Sequence, residues 1–352
     1  MHMVFSTSCD DQQHWESYVF FYHAYIVKQK GTVTRICSGC NEIESKQLIE
    51  FHTKHIETLN PKFRLHLTPG YHKSLTGKHY KYMNKPYGLR NWMESTFKFT
   101  NSTSTTINTD DANNEEENGI VMLLDPDMIL LRPLVHDFTN EDVIFADESI
   151  IGKNNSSKKI VSNGNPIAQQ DGYLNSKWSD LDITFVTDGK KLPTDFNGRI
   201  DGPLYWNTGP PYLATVHDMY NIAKLWTEYA PRVYKIHPEL FAEMYGYIIA
   251  TTQLDLPHTL VKSIVISSTT STNREGWKYI DDIPDEEICL PQRRNLPSTQ
   301  TKMPIGLHYC KGYKLGKNFF SKYRLKKRYI SCECPLLNEP PINMLQQNHH
   351  NQ

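Results

Sequence analysis

The chain has 352 residues, with 38% hydrophobic and 22% charged residues and a formal net charge of -1. That is ample length for the core of a large α/β domain, and the balance is that of a globular protein rather than a disordered one. A near-neutral charge removes the general electrostatic reason to expect a nucleic acid polymer as partner, and no apolar run reaches the length of a membrane span.

In chain order, residues 3–6 read as a short strand. Residues 1–10 lack a basic-then-apolar signal pattern, so any membrane attachment is expected through an anchor outside this chain. Residues 10–27 carry Trp15, Tyr18, Val19, Tyr22 and Ile26 at helical spacing, with Asp10 or Asp11 as N-cap and Gly31 after the end. A second strand over 32–37 completes a β-α-β start, which favours a parallel sheet with right-handed crossovers. Residues 63–67 read as a third strand. A helix is expected within 79–99, with Pro86 in its first turn and Trp92, Met93 and Phe97 on one face.

Seven cysteines are spread over the chain. Cys37-Ser38-Gly39-Cys40 follows the second strand, not the first, which is the wrong place for a thioredoxin-like motif. Its distance in sequence from Cys332 and Cys334 argues against a zinc site. Buried thiols and one or two disulfides both remain open.

Two stretches, 100–119 and 152–159, are too polar to support a core and read as inserts within one domain. Asn101, Asn154 and Asn155 open N-glycosylation patterns there, of consequence only in a secretory compartment.

The most informative run is Val121-Met122-Leu123-Leu124-Asp125-Pro126-Asp127. Four uninterrupted apolar residues read as a strand buried on both faces, and Pro126 cannot extend a ladder. The two carboxylates are therefore expected just beyond the strand end, where ligands gather in open α/β sheets, as ligands of Mg or Mn and not as core groups. The alternative is a solvated turn with two surface aspartates.

Further along, Asn207-Thr208-Gly209-Pro210-Pro211 is either an ordinary turn or a place where backbone approaches a ligand. Residues 240–252 read as an amphipathic helix on which Glu243 is either a hydrogen-bonded core-edge group or an acid facing a cleft. His308, followed by Lys311, Lys314 and Lys317, is either a buried imidazole before a basic loop or a metal ligand before phosphate-binding ammonium groups.

Taken together and in order, several stretches resemble GT-A nucleotide-sugar glycosyltransferases of the peptidyl-serine galactosyltransferase and hydroxyproline O-arabinosyltransferase families. They are Phe5-Ser6-Thr7-Ser8-Cys9, Val33-Thr34-Arg35-Ile36, Asn84-Lys85-Pro86, Leu124 to Leu130, Gln169-Gln170-Asp171-Gly172-Tyr173, Ala242 to Tyr247 and His308-Tyr309-Cys310. This chain has Asp-Pro-Asp where those families often have Asp-Ala-Asp. The resemblance implies a single GT-A (Rossmann-like) α/β domain over 1–337, with a mainly parallel central sheet flanked by helices and a disordered tail over 338–352.

It also implies a function. Asp125, Asp127 and His308 would hold Mn or Mg against the diphosphate of a UDP-sugar donor. Thr7, Lys85, Asp125, Gly209, Lys314 and Lys317 would contact the donor, while Glu243 and Asn207 would act at the reacting sugar. The sugar would pass, with retention, to a hydroxyl of a hydroxyproline- or serine-containing protein or of a glycan, in the Golgi or ER lumen. A scaffold of the same fold that binds nucleotide-sugar without turnover is the alternative. A phosphotransferase could share the two-carboxylate logic, but no P-loop or kinase motif set is present.

Overall fold

The computed structural model describes residues 1–71, 80–99, 118–151, 156–171, 174, 177–193, 196–268, 275–282, 302–315 and 318–324. Its centre is a seven-stranded sheet in the order β3-β2-β1-β4-β7-β6-β8. The strands are β1 (His2–Ser8), β2 (Thr32–Ser38), β3 (Phe63–Thr68), β4 (Ile120–Leu124), β6 (Ile167–Gln170), β7 (Thr208–Thr215) and β8 (Thr259–Val261). Neighbours β3-β2-β1-β4 and β6-β8 are parallel, whereas β7 runs antiparallel to both β4 and β6. The sheet is mainly parallel and flanked by helices, the architecture that the sequence led us to expect.

Strand β4 is buried along its whole length because each face has its own core. Val121 and Leu123 join Val4 and Ile36 in one cluster, while Met122 and Leu124 join Met3, Phe5 and Val33 in the other. Strict alternation along a pleated strand divides one apolar run between two layers.

Helix α1 (Asp11–Ile26) packs in the second layer, capped by Asp10, whose side chain accepts from the Gln13 N–H. The bounds agree with the sequence reading but the buried face does not. Tyr22 and Ile26 are exposed, and the inward positions are Glu16, Ser17, Phe20, Phe21 and Ala24. Residues 18–22 are apolar or aromatic throughout, so periodicity alone could not choose the face; a buried glutamate disguised it further. Helix α2 (Glu42–Phe51) begins with a capping box between Asn41 and Glu44.

Helix α3 (Asn84–Phe97) carries Pro86 in its first turn as expected, and Trp92 and Met93 are buried. Helices α4 (Val216–Ile236) and α5 (Ala242–Gln253) pack together in the first layer. The helix expected over 240–252 is not amphipathic: Glu243 and Tyr245 through Thr252 are all buried, because α4 and the sheet enclose it. Contact with α4 is close at Gly246, where an added Cβ would lie 2.8 Å from Ala230 Cα. We expect Gly246→Val to lower stability by about 1–3 kcal/mol through overpacking. A thermal midpoint equal to the parent's would contradict this packing.

A small second sheet, β5-β10-β9, comprises β5 (Met128–Leu130), β9 (Val265–Ile266) and β10 (Gly306–His308). A hairpin of β11 (Tyr313–Leu315) and β12 (Asn318–Phe320) follows. Most of the first polar insert, the Cys332 and Cys334 pair and the C-terminal tail lie outside the described residues. Of the second insert, Ser156–Lys159 forms a short 3-10 turn.

A disulfide joins Cys9 to Cys40, so the sulfur of the CxxC pairs outside its own motif, and Cys37 is a buried free thiol. The bond ties the carboxyl ends of β1 and β2. Closing a loop of that length stabilises the fold by about 3–4 kcal/mol on the chain-entropy account. Among the described residues no helix is long and apolar enough to cross a membrane.

Candidate active site

The chain leaves β1 for β2 on one side and later returns to place β4 on the other. The carboxyl ends of β1 and β4 therefore flank a point where strand order reverses, and a crevice opens there. It is a cavity of about 390 Å³ lined by Ser6, Thr7 and Ser8 from β1, Asp125 and Asp127 after β4, and Gln169, Gln170 and Asp171 at the end of β6. Lys85, Gly209, Glu243 and His308 complete its wall, together with Glu16 and Lys322.

His308 comes from almost the other end of the chain. Strand β10 runs antiparallel to β5 with His308 opposite Met128, and the Tyr309 N–H donates to the Asp127 carbonyl at 3.0 Å. This register sets the imidazole Nε2 3.1 Å from Asp127 Oδ1 and 3.8 Å from Asp125 Oδ2. On the other side of the ring, Ser267 Oγ lies 3.3 Å from Nδ1 and fixes its orientation. Ligand atoms of Asp125, Asp127 and His308 all lie within 4.8 Å of one another. Two carboxylates and one imidazole, converging at a strand end, fit a divalent ion such as Mn or Mg. Cys9, Cys37 and Cys40 also cluster, but two of those sulfurs are bonded to each other.

Two ammonium groups balance the acids. Lys85, on the first turn of α3, reaches Asp125 Oδ1 at 2.8 Å and stands 3.5 Å from Glu243 Oε1. Lys322 donates to Asp127 Oδ2 and lies 3.1 Å from Glu16 Oε1. Burial opposes ionisation of Asp127, yet His308 and Lys322 outweigh it and hold the carboxyl well below the usual range. Burial likewise disfavours the imidazolium of His308, and the Asp127 charge reverses that, raising its pKa. Asp127 is only 5% exposed, so the sequence expectation of a group outside the core needs correction. It is at the strand end as expected, but counter-ions let it sit enclosed.

Glu243 is 2% exposed and its backbone is pinned on both sides: its N–H donates to Tyr80 Oη, and its carbonyl accepts from Trp226 Nε1. The carboxyl pKa is pushed up to about 7, chiefly by burial, with Lys85 opposing and Asp125 adding to the rise. Lys85 is within ion-pair distance of Oε1, but that oxygen has no hydrogen bond.

Of the other residues singled out from sequence, Thr7 lines the crevice and its Oγ1 accepts from the buried Arg35 Nε at 3.0 Å. Gly209 also lines it, and an added Cβ would lie 2.9 Å from Asp171 Oδ2; the glycine makes room for that carboxylate. Asn207 is buried just behind the wall, its carbonyl accepting from the Asp171 N–H. Lys314 is exposed on β11 and is not among the lining residues, and Lys317 lies outside the described residues. Sequence reasoning missed Glu16 and Lys322. A lone glutamate on an aromatic helix was the one available signal, and nothing distinguished Lys322 from its basic neighbours.

No protein-family model and no curated protein sequence matches the chain. Solved structures do resemble it at low identity. A galactosyltransferase, LgtC, in complex with donor and acceptor sugar analogues is 11% identical, with TM-score 0.42, covering 88% of this chain and 87% of that one. An active-site mutant of LgtC is 9% identical, with TM-score 0.42 and coverage of 96% and 98%. The apo bifunctional glycosyltransferase WbbM is 10% identical, with TM-score 0.40; 89% of this chain spans only 46% of it. At such identities and scores none of them assigns a residue or a reaction to this chain.

Proposed function

We propose that the protein is a metal-dependent GT-A glycosyltransferase that moves a sugar from a UDP-sugar to a hydroxyl group. The observation that carries this reading is the convergence of Asp125, Asp127 and His308, the last 181 residues beyond Asp127, in one crevice with Glu243 and Lys85. A scaffold has no need of an acid whose pKa is raised to about 7 beside a ligand set of that chemistry.

Asp125, Asp127 and His308 would hold the ion, which when bound supplies positive charge for the leaving diphosphate. Thr7, Gly209 and Lys85 line the space for the donor. The bond between the anomeric carbon and the diphosphate oxygen breaks with its electron pair on the diphosphate, and the acceptor oxygen bonds to that carbon as its hydroxyl proton passes to the departing diphosphate. Glu243 faces the same space and orients the acceptor or balances positive charge developing on the sugar. Transfer with retention to a hydroxyproline- or serine-containing protein or to a glycan is the finer reading, supported by the family resemblance of the motifs. The Cys9–Cys40 bond supports an oxidising compartment such as the ER or Golgi lumen.

A panel of UDP-sugars assayed for Mn-dependent UDP release tests the reading. Release with one or a few sugars is expected; nucleotide binding with no turnover under any acceptor would decide for a scaffold, and release of pyrophosphate for another transferase class. His308→Ala is expected to weaken Mn and UDP binding together, since the imidazole would be one of the groups holding the ion and the ion's charge would favour the diphosphate. Unchanged UDP affinity at saturating Mn would leave the imidazole a structural role only.

A further inference from the structure

Glu16 is 1% exposed on the inward face of α1, among Phe20, Phe21 and Ala24. Its Oε1 accepts from Gln12 Nε2 at 3.2 Å and stands 3.1 Å from Lys322 Nζ. Lys322, itself 7% exposed, also donates to Asp127 Oδ2, while the other oxygen of Asp127 faces His308. Both oxygens of a central ligand carboxylate are therefore engaged already, one of them by a full positive charge. Asp125 is neutralised in the same way by Lys85 at 2.8 Å. Each ligand carboxylate thus already has an ammonium group on one of its oxygens, although Lys322 is shared with Glu16 and Lys85 with Glu243.

We propose that Lys322, shared between Glu16 and Asp127, is a tethered competitor for the metal position, which keeps divalent-ion affinity low until a donor diphosphate binds. The inference rests on the metal-dependent reading above. An incoming diphosphate would bring further oxygen ligands and negative charge to the ion, so ion and nucleotide each raise the other's affinity. Glu16 gives the ammonium a second partner, so the cation is not stranded when the ion takes Asp127. A buried charge left without any partner would be costly, and the second carboxylate removes that penalty.

The test measures Mn(II) binding to the full chain, with and without UDP, by the electron paramagnetic resonance signal of free Mn(II). The variants are Lys322→Met, Lys322→Gln, Glu16→Gln and the double Glu16→Gln/Lys322→Met, which removes the pair together and leaves no lone buried charge. Lys322→Met is expected to bind Mn(II) without UDP about tenfold or more tightly, the scale of one unit charge removed nearby at an effective dielectric of roughly 20. The double variant, which removes one positive and one negative charge together, gains less but in the same direction, because it still frees Asp127 Oδ2 of its ammonium. Enhancement by UDP shrinks accordingly. Glu16→Gln moves nucleotide-free affinity the other way, because Lys322 then has Asp127 as its only carboxylate. A purely structural pair would lower the thermal midpoint and leave ion affinity unchanged. Unchanged affinity in the folded double variant overturns the competition while leaving sugar transfer standing, as UDP release from a UDP-sugar would show independently. Absence of Mn(II) binding in every form, with and without UDP, overturns both.

Discussion

Replacing Asp127 by asparagine is expected to lower Mn-dependent UDP release by roughly 10²-fold or more, the scale of losing a group that stabilises transition-state charge, with the protein still folded. Asparagine is the informative substitution because of what surrounds the carboxylate. Lys322 and His308 both contact it, so alanine would leave two buried polar groups facing a gap. Removing one partner of a buried ion pair costs about 3–5 kcal/mol, enough to confuse lost activity with lost protein. The amide keeps the volume and one acceptor oxygen, and Lys322 retains Glu16 at 3.1 Å. Circular dichroism and thermal melting establish that the variant is folded. Near-normal Mn-dependent turnover in that folded protein would remove Asp127 from the metal site.

The second large effect is expected at Glu243. Glu243→Gln should reduce turnover by about 10²-fold, the scale of a positioned acid-base or electrostatic group, with little change in UDP binding. Stability provides the discriminating measurement. The carboxyl pKa is raised from 4.5 to about 7, so between those values the native state holds a proton that the unfolded chain has released. Stability therefore falls as pH rises through that window and is level above it, by on the order of 3 kcal/mol. The glutamine variant should lose this slope and melt no lower than the parent at pH 8. A variant that melts lower yet keeps its turnover per folded molecule would show that the carboxylate is only a structural group.

Much of the frame was legible without coordinates because it is encoded locally. The apolar run before Asp125 read as a doubly buried strand, and Pro126 ended it. The β-α-β opening favoured parallel pairing, and Asp10 or Asp11 marked the start of α1, where the structure selects Asp10. The inward face of that helix was not legible. Aromatic residues occupy both sides, and the charge that its buried glutamate pairs with comes from an ammonium more than three hundred residues later. Helix α5 reads as half-exposed from its sequence because the enclosing surface of α4 belongs to another segment.

By itself the sequence determined which residue types were available for chemistry: two carboxylates at a strand end, a late histidine and an acid on an apolar helix. Only the tertiary structure decided that they share one crevice. The antiparallel register of β10 against β5 places His308, not Leu307, on the side of Asp127, and a slip of one residue would turn the imidazole to the other face. The charge balance was also decided there: Lys85 and Lys322 matched to Asp125 and Asp127, and Glu243 buried with one ammonium that it must share. Charge pairing falls steeply with distance and strengthens with burial, and both follow from packing between segments that are remote in the chain.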